Sequence, residues 1–268
     1  MANYNYRQSR LPAVPTVIKY LILINVVVWV MELIWGSWFI DFFALHDLHS
    51  PLFKPHQLIS YLFLHDTTPV QLGSIWPNPM HILLNMFALW MFGSILENYW
   101  GPKRFLNFYL ICGIGAGILY LLVLYFFTDQ SALRALAEFQ AHPSNDLVIE
   151  IARHFGLHGG INGGSADDVY LQLKAALFGE PILGASGAIF GVLVAFGYTF
   201  PNTEMFIIPI PFPVKAKYLV VGYVLIELFS GVQNRAGDDV AHFAHLGGAL
   251  VGFLLVLFWN RKNRRGFN

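Results

Sequence analysis

An all-α membrane protein of six transmembrane helices, with both termini in the cytoplasm, is the fold that this sequence predicts. Three observations carry it. Of 268 residues, 56% are hydrophobic and only 12% charged, more apolar surface than a water-soluble domain can hide. The apolar residues gather into six runs long enough to span or nearly span a bilayer. The basic residues fall mainly on one side of those runs.

The first run, about 18–39, is too long and lies too late for a signal peptide and lacks a small-residue cleavage site, so it reads as a retained helix. The second and third, 80–99 and 105–127, are joined by a tight turn. The fourth is 183–200. The fifth, 216–231, is short and follows a proline-rich stretch, and the sixth is 241–259. Trp35 and Trp38 near one end of the first run, and Trp100 and Trp259 at the inner ends of the second and sixth, suit the membrane interface.

Orientation follows from charge. Arg7, Arg10, Lys19, Lys103, Arg104, Lys215, Lys217, Arg261, Lys262, Arg264 and Arg265 share one side, against Lys54, Arg134, Arg153, Lys174 and Arg235 on the other. The positive-inside rule puts the first set in the cytoplasm. The chain then divides into a cytoplasmic tail at 1–17, a six-helix domain at 18–260 and a basic tail at 261–268. A formal net charge of zero excludes a strongly basic nucleic-acid binder. The single cysteine, Cys112, lies within the third run and excludes an intramolecular disulfide.

Two outer loops exceed what a bundle needs. The first, 40–79, holds PHQLISYLFLHD, too short to span and suited to the interface. The second, an insertion at about 128–182, reads as three short helices: SALRALAEFQ, then NDLVIEIARHFGL capped by Asn145 or Asp146, then SADDVYLQLKAALF with Ser165 and Asp168 at capping-box spacing. HGGINGG reads as a connector between the last two.

With the N-terminus inside, runs two, four and six all descend from the outer face, and each places polar residues one or two turns down. These are His81 with Asn85, Ser186, and His242 with His245. Such groups are costly in lipid unless they face the interior and find partners. Gly187 and Gly191 on one helix, and Ala244, Gly248 and Gly252 on another, form small-residue stripes that let backbones approach. Close approach would bring Ser186 to His245, a hydroxyl beside a base, the minimal pair for attack on a carbonyl. Free N–H groups around Ser186 at the start of its helix, with His81 and Asn85 at i and i+4, can hold a developing oxyanion. Asp238 and Asp239 lie more than a turn from His245, so the pair is expected to be a dyad without an acidic partner.

The stretches GASGAIFG, HILLN and AHLGGALVG, in a layout of six spans with cytoplasmic termini, resemble the rhomboid intramembrane serine proteases over roughly residues 55–257. The resemblance implies a serine endopeptidase that cuts transmembrane helices of other membrane proteins in the bilayer. It assigns Ser186 as nucleophile, His245 as base, His81 and Asn85 to the oxyanion, and Phe190 to stacking on the base. Gly184, Gly187, Gly248 and Gly252 hold the motifs' supporting positions. No cofactor or metal is implied. Run five corresponds to the family's lateral gate, and SGVQNRAGDD suits a lid over the site. Glu97 and Arg104, in ENYWGPKRF, read as an ion pair or cap. A bacterial inner membrane is the expected location.

Three other readings stay open on the residues. His81, His242 and His245 offer ligands for zinc, although HxxH is a weak signal and HExxH is absent. Glu32 and Glu227 are intramembrane carboxylates of the kind a transporter uses, set toward the outer ends of their spans. A catalytically inactive rhomboid-like scaffold would ordinarily lack Ser186 or His245.

Overall fold

The structure, a computed structural model, describes residues 14–67, 79–155, 157, 165–178, 181–206, 212–232 and 239–265. HGGINGG, Asp238 and most of SGVQNRAGDD lie outside the described residues, as do 1–13 of the N-terminal tail and the last three of the C-terminal one.

Helix α1, Thr16–Trp35, ends at Gly36, whose φ of 59° only glycine adopts without strain. The turn starts α2, Ser37–Phe43, so the predicted first run of 18–39 is two helices. Next come α3, Gln57–Ser60, and a 3₁₀ turn, Tyr61–Phe63. Helices α4, Met80–Ala88, and α5, Ser94–Trp100, are joined by a π-helical turn, Leu89–Gly93, into one continuous span. Helix α6, Pro102–Val123, follows at Gly101, φ 84°, with proline at its first position, where the missing N–H costs nothing.

The insertion forms α7, Asp129–Ala141, α8, Asn145–His154, and α9, Ala166–Phe178. It has its own small core of Ala132, Leu136, Phe139, Ile151, Leu173 and Phe178. The α9 capping box forms as predicted, with Asp168 N–H on Ser165 Oγ at 3.2 Å and Ser165 N–H on Asp168 Oδ2 at 3.1 Å. The α8 cap is Ser144, not Asn145 or Asp146: its hydroxyl accepts from Leu147 N–H at 3.2 Å. The chain continues through α10, Ser186–Thr199, a two-residue hairpin pairing Glu204–Met205 with Val214–Lys215, α11, Ala216–Val232, and α12, Asp239–Arg265.

Four helices among the described residues are long and apolar enough to cross a membrane: Thr16–Trp35, Met80–Trp100, Pro102–Phe126 and His242–Asn260. Helix α10 is apolar but has only 14 residues. It is also the most enclosed element, buried from Gly187 through Leu193. Gly187 meets Ala244 and Gly248 while Gly191 meets Gly248 and Gly252, so α10 and α12 run parallel in close backbone contact. On the other side Ala116 faces Gly187 and Cys112 faces Gly191, so α6 runs antiparallel. His81 lies against Gly184 and the Phe92 ring against Phe196, which sets the span of α4 and α5 parallel to α10. The helices of His81, Ser186 and His245 therefore share a direction, as the sequence predicts.

Glu97 and Arg104 do not act together. The Glu97 carboxylate accepts from the N–H groups of Val17 and Ile18, both at 2.9 Å, and so caps α1 across the bundle. Arg104 instead lies over the Trp259 ring, 4.2 Å from its centre.

Candidate active site

The segment entering α10 is held by the stretch between α2 and α4. Leu45 and Ile182 exchange backbone hydrogen bonds of 3.0 and 2.9 Å. Gly184 N–H donates to Tyr61 C=O at 2.9 Å, and the buried Tyr61 hydroxyl donates to Gly113 C=O at 2.7 Å. Gly184 has φ 131°, and a methyl group there would sit 3.2 Å from the imidazole of His81. Both facts demand glycine two residues before the serine. Buried apolar groups thus fix the start of α10, and the N–H groups of its first turn have no carbonyl four residues back.

Ser186 opens that turn, and its hydroxyl is 2.8 Å from His245 Nε2. Phe190, one turn later, lies flat on His245, with centroids 4.6 Å apart and planes 10° from parallel. The ring is thereby held at one tilt. Ser186 and His245 are both half-buried. The glycine contacts of α10 and α12 set this separation, because they bring the two backbones together directly below the pair.

His81 and Asn85 occupy one face of α4. Asp66 N–H donates to His81 Nδ1 at 3.1 Å, so that nitrogen is the acceptor and the proton sits on Nε2. The Nε2 edge is turned toward Gly184, beside Ser186. Asn85 Nδ2 donates to His81 C=O at 2.8 Å, which orients the amide. Asp66 is reached in turn from α1: the Glu32 carboxylate accepts from the preceding N–H, that of His65, at 3.0 and 3.2 Å. Glu32 is thus buried and structural, a role its position near a span end did not suggest.

The expectation that no acid stands beside His245 is overturned. Glu227 Oε2 lies 2.9 Å from His245 Nδ1 and 2.6 Å from His242 Nδ1. Glu227 belongs to α11, 18 residues before His245, and not to the chain entering α12, where Asp238 and Asp239 are the nearest acids in sequence. The signal was present in the sequence: a lone carboxylate in an apolar span is a functional candidate by default. Asp66 and Tyr61 were missed for another reason, since each acts through its backbone.

The zinc grouping also differs from the expected one. Glu227, His242 and His245 each offer a ligand atom, all within 4.8 Å of one another. His81 is turned to the serine and takes no part in that cluster.

Comparison with known proteins places the chain in a family. A family model described as Rhomboid domain matches residues 54–133 and 152–262, and the gap between them falls in the helical insertion. The chain is 27% identical over 174 residues to Rhomboid protein 1, mitochondrial, of Saccharomyces cerevisiae, covering 65% of this chain and 36% of that protein. It is 24% identical over 212 residues to RHOMBOID-like protein 12, mitochondrial, of Arabidopsis thaliana, covering 79% of this chain and 48% of that protein. The chain thus spans between a third and a half of the length of these relatives. Both are mitochondrial by name, so they lend no support to a bacterial inner membrane.

Proposed function

The chain belongs to the rhomboid family, and from that premise we propose that it is an intramembrane serine endopeptidase cleaving transmembrane segments of other membrane proteins. The observation that carries the reading is the 2.8 Å contact between Ser186 Oγ and His245 Nε2, with Phe190 stacked on the imidazole. An inactive relative would be under no pressure to keep a hydroxyl, a bare ring nitrogen and a flat aromatic support in this register.

Ser186 Oγ attacks the scissile carbonyl carbon as its proton passes to His245 Nε2. The carbonyl oxygen becomes an oxyanion, held by the free N–H groups of the first turn of α10, by His81 Nε2–H and by the Asn85 amide. As the intermediate collapses, His245 returns the proton to the leaving amine. An acyl group remains on Ser186, and water then hydrolyses it by the same path.

The short α10 supports a site reached by water. Its 14 residues span about 21 Å at 1.5 Å per residue, less than a hydrocarbon core of about 30 Å. Its serine end then lies below the outer surface if its other end reaches the inner one. We read the bundle as six spans with cytoplasmic termini, α11 as the movable side through which substrate enters, and substrates as single helices with locally unstable backbone and small residues at the cut.

Purified protein in detergent is expected to cleave a model transmembrane substrate, and Ser186→Ala or His245→Ala to reduce cleavage to background. A fluorophosphonate should label wild type and not Ser186→Ala. Folded wild type that neither cleaves nor labels would leave the scaffold reading in its place.

A further inference from the structure

We propose that Glu227 is a positioning residue for the Ser186–His245 pair, making it a serine–histidine–glutamate triad whose acid comes from α11. The inference rests on the protease reading and adds a third group to it.

Helix α11 is peripheral, with Val221, Tyr223, Leu225, Ile226, Leu228 and Phe229 all exposed. Its inward stripe is short: Val220 packs on Gly197, and Gly231 packs on His242 and Phe243. Glu227 stands between them on that stripe, seven residues after Val220 and four before Gly231. It is the one carboxylate of α11, and it faces a helix and not lipid. A carboxylate there is costly to insert, and an apolar residue would pack α11 on α12 as well. What it adds is chemical.

Neutral imidazole carries one proton, on either nitrogen. With an ionised carboxylate 2.9 Å from Nδ1, the proton of His245 stays on Nδ1, and Nε2 is left bare toward Ser186 at 2.8 Å. Without the carboxylate, molecules with the proton on Nε2 cannot accept from the serine. The same carboxylate stabilises the imidazolium that forms during attack while remaining ionised itself, so no further proton moves. His242 Nδ1, at 2.6 Å, is a second donor to the same oxygen and holds the carboxylate in place. Among the described residues, His81 from α4 also faces His245.

The contact also joins the movable helix to the base. Two roles can therefore be told apart by sign. A mere latch between α11 and α12 would hold the gate shut, and its removal would speed cleavage. A positioning residue would slow cleavage when lost.

The test uses Glu227→Gln and Glu227→Met in the full-length protein in detergent, read by kcat, KM, the rate of fluorophosphonate labelling and thermal unfolding. Methionine matches the length of glutamate without its insertion cost, so it keeps the fold if glutamine does not. Both variants should lose about 10- to 100-fold in kcat and labelling rate, part of the 10²–10⁴ that a general base supplies, with KM little changed. Glu227→Met should unfold no earlier than wild type. Folded variants at or above the wild-type rate, or slowed through KM with kcat unchanged, would overturn the proposal and leave Glu227 structural. A wild type that neither cleaves nor labels would instead overturn the protease reading beneath it.

Discussion

Gly248 of α12 lies against the backbone of Gly187 of α10 so closely that a methyl group on Gly248 would stand 2.6 Å from the Gly187 carbonyl carbon. The neighbour is backbone and cannot turn aside. Gly248→Ala must separate the helices just below Ser186 and His245, at a cost of about 1–3 kcal/mol for overpacking. We expect a lower unfolding temperature in detergent and loss of most fluorophosphonate labelling, since the 2.8 Å contact depends on this approach. Gly222→Ala, on α11 with nothing within 4 Å of the added carbon, is the control and should leave both unchanged.

Phe190 constrains the base through its face and not through a polar group, being centred 4.6 Å from the His245 ring. Phe190→Tyr preserves that face and should retain activity within about twofold. Phe190→Ala frees the imidazole to rotate and should lower kcat about tenfold, roughly 1.4 kcal/mol of transition-state stabilisation, with a smaller change in KM. Equal losses in the two variants would show that the site tolerates no change at 190, and would remove stacking as the reason.

How far the site was legible in the sequence depended on whether a residue's partner lies on a regular, apolar stripe. Gly187, Gly248 and Gly252 announce their contacts by spacing alone, and they carry Ser186 and His245 with them. The shared direction of α4, α10 and α12 follows from counting spans. Glu227 stands out in the sequence without a partner, because its partners lie on the next helix and helix periodicity gives a face, not a neighbour. Gly36 divides the first run, since hydropathy does not register a change of backbone hand. Glu97 reads from sequence as an ion pair or a cap and proves to be a cap, but of α1, about 80 residues away, through backbone N–H groups that every sequence has and no pattern marks.

His65, in the loop between α1 and α4, links pH to stability. It is fully buried, and desolvation, with the neighbouring His81 adding to it, pushes its imidazole from 6.5 down to about 3. A base whose folded value is depressed is bound as the neutral form, so its stabilising effect is complete above the unfolded value of 6.5. It is lost as pH falls from there toward 3, because the unfolded chain takes up a proton that the folded one refuses. Wild type should therefore unfold at a distinctly lower temperature at pH 5 than at pH 7.5. His65→Phe should show a smaller difference between the two, whatever its absolute stability. An equal slope in wild type and variant would assign the acid sensitivity to other groups.

The cluster of Glu227, His242 and His245 separates a metal-dependent reaction from a metal-sensitive one. Its ligand atoms lie within 4.8 Å of one another, near enough to close on zinc with small side-chain movements. Zinc on His245 Nδ1 would occupy that lone pair and force the ring proton onto Nε2, where it faces Ser186 as a donor. The base would then be lost, although every residue is still present. We expect a chelator alone to leave the cleavage rate unchanged and added Zn²⁺ to inhibit. His242→Ala, which removes one ligand and leaves the Ser186, His245 and Glu227 side chains present, should weaken that inhibition by at least about tenfold, or ~1.4 kcal/mol of metal binding. Cleavage that stops on chelation and returns with zinc would reverse the assignment, making these three residues the catalytic centre and Ser186 a bystander.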